Sequence, residues 1–342
     1  MKLNRRQFLS TAGLASLSLS LSAKENNELP KETLPVLKPS SLKPGDLIAI
    51  SSPAGAVWDE DQIEKFSGII RALGFDVVLG KTLSQKYGYF AGTDEFRASE
   101  FNNFILHKNV KAIFAMKGGW GCARLFDKIN FEAVKSNPKV IMGFSDITSL
   151  LIALNAKTGL VTFHGPVGNS GWNDFSMDYV KRILMKCEKV EYAYPPDDTD
   201  RFYTINPGNA QGILVGGNLT VLAGMMGSEY LPDWKGKILF LEETGEEPYR
   251  IDRMLTQLKL NKVFDNISGF IFGKCVKCDA EEPDKAFTLK QVLEQHIRPL
   301  KIPAFYGAMI GHIVNKYTVP IGINAEMNAD TGIIRLTEPA VI

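Results

Sequence analysis

Ser145 stands where one pattern of residues gives way to another. The run from Lys139 to Gly143 is short, apolar and rich in β-branched residues, while Ile147, Leu150, Leu151 and Leu154 recur at helical spacing. A strand therefore passes into a helix at Gly143-Phe-Ser-Asp146, with the serine on the bend. A hydroxyl there projects above the end of a sheet, close to the free N–H groups and positive potential of a helix N-terminus. It can act as a nucleophile, because the next amide, that of Asp146, can donate to the oxyanion formed on attack. A serine ahead of an apolar helix also serves commonly as a plain N-cap. Ile147 occupies the place of the second glycine in G-x-S-x-G, so this stretch alone leaves both readings open.

A serine nucleophile needs a base, and the base needs a carboxylate to orient it. The chain has four histidines. His107 closes an amphipathic helix and His296 lies in a polar one, so both are expected at the surface. His164 and His312 each follow a strand and precede a loop, and the sequence does not separate them; either could also be a buried histidine satisfied by hydrogen bonds. Glu242 and Glu243 follow the strand Lys237–Leu241, which places one of them at its carboxyl end. The acidic run continuing to Glu246 and Glu247 would equally suit a solvated turn. Lys117-Gly-Gly-Trp-Gly121 lacks the spacing of a phosphate loop. Its paired glycines let a backbone amide approach a ligand closely, or form a tight turn.

The elements that must position these groups alternate strand and helix through Leu47–Ser52, Ile63–Leu73, Phe75–Leu79, a helix capped by Thr93, Val110–Met116 and the Ser145 unit. That order implies a parallel sheet covered on both faces, with functional loops at the carboxyl ends of its strands. The rhythm fails from 165 to about 207. Strands and helices then resume through Gly216-Gly-Asn218, Lys237–Leu241, a helix opened by Pro248, Phe270–Gly273 and Ala304–His312. The expected division is 1–23 as an export signal, 24–40 as a linker, 41–165 as the nucleophile-bearing domain, 166–207 as a connector and 208–342 as a domain carrying acid and base.

At 342 residues, 45% apolar and 23% charged, the chain has ample core for two domains, and its net charge of +1 suggests neither nucleic acid nor an anionic membrane surface as partner. Asn4-Arg5-Arg6-Gln7-Phe8-Leu9 looks like a twin-arginine signal, and the stretch from Ala12 to Leu21 is too short to span a bilayer. Cleavage near Ser22 or Ala23 would leave a net charge of about −2. Export by the twin-arginine translocase and a periplasmic location are expected. Four cysteines do not make a disulfide scaffold at this length. Cys275-x-x-Cys278 is half a zinc site with nothing to complete it, so a chance pair at a strand end is expected ahead of a redox pair or an exported disulfide. No metal or other cofactor is implied.

Taken together, Gly92-Thr-Asp-x-x-Arg97, Lys117-Gly-Gly-Trp-Gly121, Gly143-Phe-Ser-Asp-Ile-Thr148, His164-Gly-Pro166, Gly217-Asn-Leu219, Leu241-Glu-Glu243, Pro248-Tyr-Arg-Ile-Asp-Arg253 and Gly311-His312 resemble the LD-carboxypeptidase family of serine peptidases, from about Leu42 to the C-terminus. The resemblance implies Ser145 as nucleophile, Glu242 as acid and His312 as base, with an oxyanion hole from the amides of Gly119 and Asp146. It implies an α/β fold: a glutamine-amidotransferase-like N-terminal parallel-sheet domain plus a smaller, swivelling α/β C-terminal domain. The implied reaction releases a terminal D-amino acid (D-Ala) from the L-centre of a murein stem peptide, and the family suggests a homodimer. A relative cleaving peptide–nucleotide antibiotics is the alternative within the family; a non-catalytic exported binding protein is the alternative outside it. Lys117 stands where the family often has arginine. It keeps the charge but not the bidentate fork, and is a candidate for binding a substrate carboxylate.

Overall fold

Five apolar runs form the parallel core of the first sheet: β1 (Leu47–Ser51), β2 (Asp76–Leu79), β3 (Val110–Ala115), β4 (Val140–Gly143) and β5 (Thr162–His164). The computed structural model describes residues 34–195 and 202–342, and among these no helix is long and apolar enough to cross a membrane. Helices α1 (Asp61–Ala72), α2 (Asp94–Leu106), α3 (Phe131–Ser136) and α4 (Ile147–Thr158) connect the strands. The Thr93 side chain accepts from the Phe96 amide, and Asp94 and Glu95 sit in the first turn of α2, so that helix starts where its cap and dipole chemistry favour it. Gly159, at φ 75°, closes α4 in the left-handed conformation that glycine adopts without strain.

The chain then forms α5 (Asp174–Val180), β6 (Glu191–Tyr192), β7 (Tyr203–Asn206) and the long β8 (Asn209–Asn218). Next come α6 (Leu219–Met225), β9 (Lys237–Glu242), α7 (Pro248–Leu260), β10 (Gly269–Gly273), α8 (Leu289–Ile297) and β11 (Ala304–Ala308). Three short strands, β12 (Val319–Ile321), β13 (Asn324–Asn328) and β14 (Ile333–Leu336), finish it. The second sheet runs β6-β14-β13-β8-β9-β10-β11-β7, with β8 to β11 parallel and the outer strands antiparallel.

Three expectations need amendment. The expected connector, 166–207, supplies both edges of the second sheet, because β6 pairs with β14 and β7 with β11. The expected division at 208 is not clean either, since β12 leaves the second half of the chain to pair antiparallel with β5, Val319 opposite His164. The first sheet therefore reads β12-β5-β4-β3-β1-β2. Within the expected linker, Leu37 is already part of the fold: it bridges to Leu160, and Lys38 Nζ lies 2.6 Å from Glu338 Oε2. Arg5, Arg6 and the rest of the expected signal lie outside the described residues.

Helix α4 carries the arrangement of the whole. It is buried nearly all round, not only along the stripe of Ile147, Leu150, Leu151 and Leu154, because it packs on β4 and β5 and also meets β8 and α6. A helix apolar on every face belongs between layers. One polar tie crosses there, from the Asn218 amide to Thr148 Oγ1 at 3.1 Å.

Cys275 and Cys278 form a disulfide, the reading placed second to a chance pair. The loop they close is fastened to the segment after β9: the Gly245 amide donates to Val276 O at 2.9 Å and Thr244 Oγ1 to the same oxygen at 3.1 Å.

Candidate active site

Strand β4 ends at Gly143, and Ser145 takes φ 63°, a left-handed conformation that a residue with a side chain adopts at a cost of about 1–3 kcal/mol. Asp146, not Ser145, holds the N-cap position of α4, and no side chain caps that helix. The plain N-cap reading of Ser145 thus fails: the backbone is bent to present its hydroxyl, not to satisfy an amide. Gly118 explains how closely the neighbouring loop approaches. A Cβ there would fall 2.7 Å from Ser145 Cβ and 2.9 Å from its Oγ, so only glycine fits.

Among the described residues, neither the Gly119 nor the Asp146 amide donates to another protein group. Both belong to segments beside Ser145, so they are available to a negative oxygen formed there. Two buried side chains brace this arrangement. Asp146 Oδ2 accepts from the Cys122 amide at 2.8 Å, tying the end of the glycine loop to the start of α4. Arg97, wholly buried, donates to Pro53 O at 2.5 Å and Gly121 O at 3.0 Å, and pairs with Asp94. Neither bracing role is legible in the sequence; Arg97 shows itself only through its burial.

The opposite wall comes from the second sheet. Glu242 ends β9, and its Oε2 lies 2.8 Å from His312 Nδ1. Glu242 is completely buried, which alone would raise its pKa. The hydrogen bond and charge of His312, with His164 and Asn218 beside it, outweigh burial and hold the carboxyl below its ordinary value. With the carboxylate ionised, Nδ1 of His312 donates to it, which leaves Nε2 on the side of the ring away from the glutamate. Gly311, at φ 108°, makes the approach feasible: a Cβ there would sit 2.4 Å from Glu242 Oε2.

The two glutamates have different partners, and only Glu242 meets His312. Glu243 faces away from the histidine and accepts from the Thr220 amide at 2.8 Å, Thr220 Oγ1 at 2.7 Å, the Thr244 amide at 2.9 Å and Asn218 Nδ2 at 3.2 Å. It fastens the start of α6. The histidines separate as well. His164 is 1% exposed, lies between Phe144 and Phe240 and, among the described residues, has no hydrogen bond on either nitrogen. Burial, more than the neighbouring charges of His312 and Lys316, pulls its pKa to about 4, against the pull of Glu242. It is neutral at ordinary pH, and it is not the hydrogen-bonded core histidine expected as the alternative. His296, expected at the surface, is half-buried and meets Asp252 Oδ1 at 2.7 Å.

Ser145 and His312 line one cleft of about 360 Å³, together with Lys117 and Gly119. Among the described residues no hydrogen bond joins Ser145 Oγ to His312, as is common in ligand-free sites whose catalytic contacts tighten on substrate. Lys117 reaches the cleft while its Nζ donates to Ala56 O at 3.1 Å. Lys316, which no sequence pattern singled out, also lines it. No group of three His, Cys, Asp or Glu side chains among the described residues is disposed to hold a metal ion.

The arrangement can be set beside known proteins. Residues 47–165 match the LD-carboxypeptidase N-terminal domain and residues 211–327 the LD-carboxypeptidase C-terminal domain. A probable murein peptide carboxypeptidase of Bacillus subtilis (strain 168) is 36% identical over 299 residues, covering 85% of this chain and 91% of that protein. The structure of MccF in complex with glutamyl sulfamoyl guanosine superposes with a TM-score of 0.83 at 28% identity, covering 90% of this chain and all of that one. A muramoyltetrapeptide carboxypeptidase from Oxalobacter formigenes gives a TM-score of 0.75 at 28% identity, over 85% of this chain and 97% of its own. With both halves of the family matched in order, and a parallel-strand sheet joined to a second sheet as in those structures, the chain belongs to the LD-carboxypeptidase family.

Proposed function

We propose that the protein is a metal-independent serine carboxypeptidase that releases terminal D-alanine from the L-centre of murein stem tetrapeptides. The observation that carries the proposal is the 2.8 Å contact of His312 with buried Glu242, in a cleft shared with a serine held at φ 63°. Ser145 Oγ attacks the scissile carbonyl carbon while His312 Nε2 takes its proton. The amides of Gly119 and Asp146 receive the oxyanion. As the C–N bond breaks, the imidazolium returns the proton to the leaving amine, and an acyl ester remains on Ser145. Water, deprotonated by His312, then attacks the ester and frees the shortened peptide. Glu242 keeps the ring oriented and stabilises its charge throughout.

With the carbonyl fixed between Ser145 Oγ and two amides, the acyl centre's side chain and hydrogen point to different walls. Inverting that centre would drive the side chain into a wall or pull the carbonyl from the donors, and about 1 Å of misplacement can cost about 10²-fold. A tetrapeptide ending L-centre–D-Ala is therefore expected to be cut faster than a pentapeptide ending D-Ala–D-Ala. Mass spectrometry of both digests decides it, and faster cleavage of the pentapeptide would refute the LD reading. The likeness to MccF supports a second reading, hydrolysis of an aminoacyl sulfamoyl nucleoside, which the same assay tests with that substrate. A non-catalytic binder would fail to label with a fluorophosphonate.

The proposal places the enzyme on the wall side of the inner membrane, delivered folded through the twin-arginine translocase. The motif at Arg5-Arg6 supports this reading. Replacing both arginines by lysine is expected to strand the protein in the cytoplasm; an unchanged periplasmic yield would remove the export reading. The family's homodimer is carried as an expectation that light scattering would check.

A further inference from the structure

A carboxypeptidase must hold the free carboxylate of the residue it releases. That carboxylate is one carbon from the amine nitrogen that receives the proton from His312, so its binding partner must lie close to that ring. Two lysines line the cleft, Lys117 and Lys316. Lys117 donates to Ala56 O at 3.1 Å, on the side of the glycine loop. Lys316 lies four residues beyond His312, and its Nζ sits 4.5 Å from the centroid of the Phe144 ring. The same ring meets His312 edge-on, with centroids 4.7 Å apart, so ammonium and base share one aromatic support.

Among the described residues the ammonium of Lys316 has no hydrogen-bond acceptor. The residue is only 5% exposed, yet among the described residues Nζ makes no hydrogen bond, and it is not sealed from the cleft. Buried charges are ordinarily paired. The backbone beneath it is fixed, since the Lys316 amide donates to Ser176 Oγ at 3.1 Å and the Tyr317 amide to Met309 O at 2.7 Å. Burial lowers its pKa to about 8, against the charge of Glu242, so the ammonium remains the main form at neutral pH.

We infer that Lys316 binds the terminal carboxylate of the leaving amino acid and thereby restricts the enzyme to free chain ends. The inference rests on the carboxypeptidase reading and adds the residue that makes the activity an exopeptidase one. A cation stacked on Phe144 meets the carboxylate as a charge-assisted hydrogen bond, and a carboxamide at the same place loses most of that gain.

The test compares a murein tetrapeptide ending in D-alanine with its C-terminal carboxamide. The wild type is expected to favour the acid by roughly 10- to 100-fold in kcat/KM, the range of one buried charged hydrogen bond. Lys316→Met is expected to collapse that ratio towards one, chiefly through KM on the acid, and Lys316→Arg to restore part of it. Lys117→Met is expected to keep it. A Lys316→Met enzyme that loses acid and amide equally, or that keeps the preference, overturns the inference; so does loss of the preference in Lys117→Met alone. Calorimetry on Ser145→Ala reads the same discrimination without turnover. A preference for the acid that vanishes on adding Lys316→Gln supports the assignment even where no murein peptide is cleaved, and one that survives overturns it.

Discussion

The two walls of the cleft are built by different means. The Ser145 wall is mainly a backbone construction: a left-handed serine, a glycine loop that only a missing Cβ lets in, and two amides without acceptors among the described residues. The facing wall is a side-chain construction. Glu242 and His312 come from loci 70 residues apart and meet through one hydrogen bond inside a buried, charged setting. Backbone geometry can be specified by contiguous residues, whereas a carboxylate–imidazole pair depends on how two strand ends are packed. The first wall should therefore depend on its glycines and on the buried braces Asp146 and Arg97, and the second on the pairing of one carboxylate with one imidazole.

The largest effect is expected from removing the groups proposed to react. Ser145→Ala and His312→Ala should each leave a folded protein whose kcat falls roughly 10³-fold or more, by analogy with other triads. The sharper comparison is between the adjacent acids. Glu242→Gln should lower kcat severely with little effect on helix α6. Glu243→Gln should leave kcat nearly intact but cost about 1–3 kcal/mol of stability, because an amide cannot accept at all four of its contacts. Steady-state kinetics with urea melts of both variants would check this, and a damaging Glu243→Gln with a mild Glu242→Gln would reverse the assignment.

The smallest effect concerns His164, which backs both walls. The unfolded chain takes up its proton below about pH 6.5, but the folded protein resists until near pH 4. This contribution to stability is fully present above the unfolded value and is lost as pH falls toward the folded one, about 2 kcal/mol by pH 5. His164→Phe, in a site already flanked by Phe144 and Phe240, should flatten the loss between pH 7 and 5. Urea midpoints at the two pH values measure it. An equal acid loss in the variant would mean other groups carry the effect.

What the sequence disclosed follows the same division. The bend at Ser145 was legible because strand, turn and helix signals adjoin within sixteen residues. That the first sheet is parallel was legible from alternation alone, but the order of its strands was not. The acid was not: Glu242 and Glu243 are consecutive on a strand end, so they face opposite ways, and nothing local says which side meets the histidine. His164 and His312 present the same ambiguity to periodicity, and only the resemblance to the family pattern favours His312. Lys316 escaped notice because a lysine in Val-Asn-Lys-Tyr resembles any surface loop until its burial is known. Strand β12 was missed as well, since three residues containing Pro320 give little strand signal, and proline is tolerated there because β12 lies at the sheet's edge.

That edge strand bears on how the molecule is made. Residues 47–165 match one family model by themselves, but the sheet they form is not finished by them. Until Val319–Ile321 is in place, β5 presents an open edge next to His164, and an open edge is a template for pairing with another chain. During synthesis the first half must wait with that edge uncovered while more than 150 further residues are added. The two halves are thus units of sequence rather than units of folding. The segment that completes the first sheet also follows His312 and Lys316, so the cleft cannot be assembled until residues 312–321 have been made.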